Sequence, residues 1–217
     1  MLRPVGTLIS VNVGSAKPSR HTDTGITGID KRPSVEPVQI QDPGPRSGLS
    51  GLAGDAIGDP RSHGGTDQAI YAYAREDLDV WQQELGRPLP GGVFGENLTT
   101  SGLDINDARI GERWKVGDGC VLEVTSPRIP CRTFAGWLVE QQWVRRFTER
   151  GAPGAYLRVI EPGRVRAGDE ITVIHRPAHD VSIAMMFRAM TTEKSLQPQL
   201  AVAADALPEG LLERLRT

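Results

Sequence analysis

The chain has 217 residues, a formal net charge of -2 and a sequence pI of about 6.1, with 24% charged and 38% hydrophobic residues. That balance argues against a nucleic-acid backbone or a membrane as partner: there is no basic stripe with interleaved aromatics and no apolar run long enough to span a bilayer. A chain of this length can bury its own core, so its two cysteines, Cys120 and Cys131, are not needed as a staple; with no leader pattern at the N-terminus, it reads as a cytoplasmic protein with both thiols reduced.

The 25 glycines and 16 prolines are dispersed, which predicts many turns between short strands. VGTLISVNVG, residues 5 to 14, alternates and opens as a strand. SAKPSRHTDT is polar and loop-like, and a short strand is expected across GIDKRP and VEPVQI. DPGPRSGLSG is turn chemistry throughout. AIYAY reads as a strand, and REDLDVWQQEL, with Leu78, Trp81 and Leu85 spaced by three and four, as an amphipathic helix ended by Gly86. FGENLTTSGL yields a short strand, RWKVGDGCVLEVTS a hairpin around Gly-Asp-Gly, and FAGWLVEQQWVRRFTERG a helix broken once. AYLRVIEPGRVRAGDEITVIH is two strands around a Pro-Gly turn. From residue 177 the pattern turns helical: IAMMFRAM, QLAVAADA, then PEGLLERLR with Pro208 in a first turn. The expectation is a mainly β domain with inserted helices over 1–176 and a small helical appendage over 177–217.

Three stretches could carry chemistry. In SPRIPCRTF, Cys131 sits in a stiff turn beside Arg128 and Arg132, whose charge favours the thiolate, the form that attacks and binds soft metals. Cys120, in an alternating strand, needs no reading beyond burial. His63 precedes two glycines, which let a backbone approach a ligand closely; a surface turn is the plainer reading of the histidine alone. In FGENL, Asn97 either offers an amide to a ligand or closes an Asx turn, and Glu96 is expected on a solvated face. No zinc spacing, phosphate loop or dinucleotide fingerprint is present.

The order of these motifs carries more than any one of them. GDAIGD, HGG with DQAIYAY, FGENLTTSGL, SPRIPC and GAYLRVI, between about Val5 and Ile174, resemble the MOSC family, the domain named after the C-terminal part of molybdenum cofactor sulfurases. The helical tail from HDVSI resembles the appendage of the bacterial hydroxylaminopurine-resistance branch. The resemblance implies a β-barrel-like fold and a molybdenum cofactor bound as molybdopterin, with Cys131 as the metal ligand. It implies that Arg128 and Arg132 pair with phosphate or pterin oxygens, that His63, Gly64 and Asn97 contact the cofactor, and that Thr27 and Ser126 lie near it. It implies reduction of N-hydroxylated small molecules (hydroxylaminopurines, amidoximes or hydroxylamines) by oxo transfer. His63 then serves as proton donor, and a separate protein as electron donor, since this chain lacks flavin, nicotinamide and iron–sulfur motifs. Two family lysines have no counterpart here: Gly25 and Thr133 stand at those positions, and Lys31 further on reads as structural. The alternatives are a sulfur or cofactor carrier with a persulfide on Cys131, and a degenerate domain without cofactor. Direct binding of pyridoxal phosphate is improbable, because the sulfurase domain that holds it is missing. Oligomeric state stays open, a homodimer included.

Overall fold

Short strands and tight turns alternate along the whole computed structural model, which describes residues 5–45, 47–208 and 210–211. The elements are β1 (Val5–Gly14), β2 (Lys17–Pro18), β3 (Ile26–Thr27), β4 (Lys31–Pro33), β5 (Val38–Ile40), a 3-10 turn (Thr66–Gln68), β6 (Ile70–Ala74), α1 (Arg75–Leu85), β7 (Leu98–Ser101), β8 (Arg113–Val116), β9 (Cys120–Pro127), α2 (Arg132–Leu138), α3 (Trp143–Arg150), β10 (Ala155–Glu161), β11 (Gly163–Val165), β12 (Glu170–His175), α4 (Ile183–Thr191) and a 3-10 stretch (Lys194–Ala203).

Seven strands close a barrel in the order β12-β8-β9-β10-β6-β7-β1, with β1 pairing back onto β12 through Val5↔Thr172 and its neighbours. Closure leaves no long edge of unpaired amides. Six of the joints are antiparallel; β6 and β7 run parallel because α1 carries the chain back across the barrel between them. β1 is long enough to serve three partners. It meets β12 at its start, β7 in its middle and β4 at Asn12–Gly14, with an irregularity between Leu8 and Ser10 that lets it bend.

The barrel interior is aliphatic. Leu8, Val11, Ile70, Leu98, Leu122, Leu157 and Ile171 are fully buried there. All eight residues of β9 are buried, since α4 covers the face that the barrel does not. The tail is stitched to the barrel by backbone bonds, Ile110 N–H to Val181 O and Ile183 N–H to Ala108 O (both 3.0 Å), and Val181, Ile183, Met186 and Leu200 join the barrel's own apolar cluster. Pro198, which removes one backbone donor, lies in the 3-10 stretch that replaces the expected second tail helix. Most of the last predicted helix, at PEGLLERLR, lies outside the described residues.

A second cluster is aromatic and lies under the inserted helices. Phe94 is its hub: it meets the rings of Tyr73, Phe134 and Trp143 at 5.1, 5.1 and 5.4 Å. The helix broken once is α2 and α3, separated by left-handed Val139 and Gln142. Glu96 corrects one expectation. It is fully buried, not solvated, because its carboxylate accepts the Gly92 and Phe94 amides (2.6 and 3.0 Å) and the Thr99 hydroxyl (2.9 Å), closing the loop ahead of β7.

Candidate cofactor site

Three segments meet at one end of the barrel: the chain leaving β9 (Arg128 to Cys131), the loop with His63, and the β2–β3 hairpin. They enclose a cavity of about 460 Å³. Two glycines permit the close packing. A Cβ on Gly28 would stand 2.0 Å from the Ala56 carbonyl oxygen, and Gly64 takes a φ of +82 where a Cβ would meet Leu49 O at 2.7 Å. Of the residues singled out from sequence, Thr27, His63, Gly64, Asn97, Arg128, Cys131 and Arg132 line this cavity. Ser126 does not; it lines an adjoining one, together with His63 and Tyr156.

Cys131 is the N-terminal cap residue of α2 and half-buried. Burial pushes its thiol up. A hydrogen bond from His63, the charge of Arg128 and the Phe134 amide push it down further, to about 6. Near neutral pH the sulfur is therefore mostly thiolate. His63 is itself held from behind: its Nδ1 lies 3.4 Å from the hydroxyl of Tyr156, a buried residue of β10.

Arg128 is the most informative side chain. It is 6% exposed, and its guanidinium lies between the rings of Tyr71 (5.0 Å) and Phe134 (4.5 Å). Its Nε has no hydrogen-bond partner, and among the described residues no carboxylate pairs with it. Its anionic neighbour is the Cys131 sulfur, so a group that takes up that thiolate leaves the buried guanidinium in want of another anion. Arg132 differs: its guanidinium pairs with Asp23 (2.5 Å) at the rim, and both are exposed.

Sequence reasoning missed a second cation. Lys31 lines the cavity, is buried, and pairs with Asp55 of the GDAIGD motif. Burial pulls the Lys31 ammonium's pKa down; the Asp55 carboxylate opposes this. Asp55 also accepts the Gly14 amide (2.8 Å) and the Asn97 side-chain amide (2.9 Å). Asn97 turns its own carbonyl to the Tyr71 N–H (3.1 Å), so it braces the wall as well as lining it. Thr133, where a lysine was expected, lines the rim and donates its hydroxyl to His21 O (3.0 Å). Asp55 lies in a motif that carries the family resemblance but was not singled out; Tyr71 and Tyr156 were not either, because on strands they read as ordinary core.

These donors fit a ligand that is anionic and carries a soft metal. A thiolate suits the metal, and the unpaired guanidinium, with a lysine near it, suits phosphate-type oxygens. Among the described residues no cluster of three His, Cys, Asp or Glu is placed to hold a bare metal ion. No helix among them is long and apolar enough to cross a membrane.

The comparisons agree with that geometry. Residues 59–172 match the family model of the MOSC domain. The chain is 32% identical over 177 residues to the uncharacterized protein YflK of Bacillus subtilis, spanning 81% of this chain and 76% of that one. It is 32% identical over 176 residues to a protein of Gibberella moniliformis named "Reductase", of which it spans 30%. The crystal structure of YiiM from Geobacillus stearothermophilus superposes with a TM-score of 0.77 at 27% identity, covering 97% of both chains. MOSC domains are associated in general with molybdenum-cofactor binding. With half the chain matched by the family model and the barrel shared with YiiM, this chain belongs to the MOSC domain family.

Proposed function

We propose that this protein binds the molybdenum cofactor in the cavity around Cys131 and reduces N-hydroxylated small molecules there. The observation that carries the reading is the Cys131 thiol, lined up in the cavity beside a buried guanidinium that no carboxylate pairs with and whose Nε has no hydrogen-bond partner. Cys131 would ligate the metal, Arg128 and Lys31 would hold the anionic pterin side, and Thr27, Gly64 and Asn97 would shape its seat. When bound, the cofactor supplies two-electron oxo-transfer chemistry.

The net reaction consumes two electrons and two protons: R–NH–OH becomes R–NH2, and the oxygen leaves as water. The electrons would come from a separate donor protein, since the sequence carries no flavin or nicotinamide motif and its two cysteines are too few for an iron–sulfur cluster on four protein thiolates. A relative that carries the name reductase, and whose length is mostly outside the matched part, supports this division of labour. His63 is placed to deliver protons. It lies between Cys131, whose thiol it helps acidify, and the Tyr156 hydroxyl, so it can pass a proton toward the reacting oxygen and take a replacement from solvent, with the tyrosine holding the ring in place.

The test is elemental analysis of protein made in a molybdopterin-competent host. The parent should carry about one molybdenum per chain, Cys131→Ala almost none, and Cys120→Ala as much as the parent. Reduction of N-hydroxylated bases with a viologen donor should follow the metal. The same acidic thiol also suits a persulfide carrier. Folded parent protein with no molybdenum but with cyanide-labile sulfur on Cys131 would establish that second reading in place of the first.

A further inference from the structure

One acidic side chain beside the site has no part in the chemistry proposed above. Glu96 is fully buried, and among the described residues it forms no ion pair. Its carboxylate is held by neutral donors: the Gly92 and Phe94 amides (2.6 and 3.0 Å) and the Thr99 hydroxyl (2.9 Å). Burying a carboxylate without a cation costs stability. A loop that only had to close could rely on its turn bonds, Val93 N–H to Pro90 O (3.2 Å) and Gly95 N–H to Gly92 O (2.9 Å), which this one also has.

The residues that Glu96 holds each touch a different part of the cofactor cavity. Gly92, at a φ of +87, packs so tightly on β4 that a Cβ would meet the Lys31 carbonyl oxygen at 2.6 Å. Val93 O accepts the Trp137 indole N–H (2.8 Å), which ties the loop to α2, the helix capped by Cys131. Phe94 packs on Phe134, whose ring covers the Arg128 guanidinium at 4.5 Å. Gly95 lines the cavity, and a Cβ there would stand 3.8 Å from Arg128 Nη1. Four consecutive residues thus reach Lys31, α2, the ring over Arg128, and Arg128 itself.

We propose that Glu96 is a positioning residue: by holding residues 92–95 it fixes the placement of the Arg128 guanidinium relative to the Cys131 sulfur. The proposal rests on the preceding reading only for what those two groups hold. The placement itself belongs to the metal-free chain.

The test therefore uses the metal-free full chain and two alkylating reagents of nearly equal shape, anionic iodoacetate and neutral iodoacetamide. Their rate ratio at Cys131, divided by the ratio for free cysteine, reports how well a cation is placed beside the sulfur; the thiolate fraction cancels. The parent should exceed free cysteine about tenfold or more, and Arg128→Gln should abolish most of that excess. Glu96→Gln turns an NH2 group toward donors, and Glu96→Asp is one methylene short. Each should lower the ratio about threefold or more, and Glu96→Gln should change it no further in the Arg128→Gln background. Charge alone predicts the opposite for Glu96→Gln, since removing an anion favours an anionic reagent, so a fall reports a displaced guanidinium. A merely structural Glu96 would lower the urea midpoint and leave the ratio alone. A parent ratio no higher than that of free cysteine, or an unchanged or raised ratio in folded Glu96→Gln, would overturn the proposal. Should neither Glu96 variant fold, Thr99→Val, which removes the hydroxyl donor, should lower the ratio, and Thr99→Ser, which keeps it, should match the parent; equal ratios in all three chains would overturn the proposal. Because no metal is present, a chain that never takes up molybdenum leaves this outcome unaffected.

Discussion

The two ends of β9 put the same functional group to opposite uses. Cys120 opens the strand, fully buried against aliphatic neighbours, and burial, helped by the Glu161 charge, pushes its thiol up to about 12. Cys131 follows four residues after the strand ends, and its thiol stands at about 6. Desolvation acts upward on both. What separates them is that the far end of β9 receives polar groups from elsewhere: His63 from a loop, Arg128 from the strand exit, the Phe134 amide from α2. The lesson is that burial alone silences a thiol, and that activation here is a property of three converging segments.

The largest expected effect tests that contrast directly. In native protein at pH 7, an alkylating reagent should modify Cys131 and leave Cys120 intact until the chain is unfolded, a difference of several orders of magnitude in rate. Peptide mapping after timed quenching measures it. The Cys131 rate should rise with pH to a plateau with a midpoint at about 6. A midpoint near the usual 9.0 would mean that the converging groups do not act on the sulfur.

Phe94→Ala should have the next largest effect, because it removes the hub of the aromatic cluster on which α2 rests. Truncating a fully buried Phe costs about 3–5 kcal/mol, readable as a lower urea midpoint. It sharpens the comparison as well. Phe134, whose amide serves Cys131, packs edge-on against Phe94 at 5.1 Å, whereas Cys120 belongs to the other cluster. The alkylation midpoint of Cys131 should therefore rise in the variant, with Cys120 still protected.

The same two ends show what a sequence can disclose. Alternation reports which face of a strand is buried, so β1, the β8–β9 hairpin and β10 were legible, as was the buried role of Cys120. A turn of Pro, Arg and Pro around Cys131 signalled an electropositive thiol, and family resemblance placed His63 and Asn97 beside it. Pairing across long separations is not written in alternation. The β1–β12 closure joins Val5 to Thr172, and no local pattern announces it. Nor does periodicity distinguish a tyrosine that fills a core from one whose ring or hydroxyl serves a site. Tyr71 and Tyr156 are neighbours across β6 and β10, and only that register brings them to Arg128 and His63. Glu96 was misjudged for a related reason: a charged residue reads as exposed unless its buried partners, here backbone amides, are visible; Lys31, read as structural, is indeed held in a buried pair with Asp55, but its place in the cavity wall was not legible.

His63→Ala should have the smallest effect on stability, and its pH dependence has a definite sign. The folded Cys131 thiol is more acidic than the unfolded one, so the groups that hold the thiolate stabilise the fold fully above 9.0, and that contribution is lost as pH falls through about 6. A hydrogen bond to a charged group contributes about 1.5–3 kcal/mol, and the lower end applies to this half-buried thiolate. The variant should therefore be less stable than the parent by about that amount near pH 9 and indistinguishable from it near pH 5, with its alkylation midpoint moved up toward the usual thiol range. Cys120 supplies the opposite sign within one chain. Its folded thiol is less acidic than the unfolded one, so its contribution is complete below 9.0 and is lost as pH rises toward about 12. Urea midpoints for parent and His63→Ala from pH 5 to 10 should diverge up to about pH 9, after which both fall in parallel as the Cys120 end of the strand begins to favour unfolding. A constant gap between the two curves would show that His63 supports the fold through Tyr156 packing and not through the Cys131 thiolate.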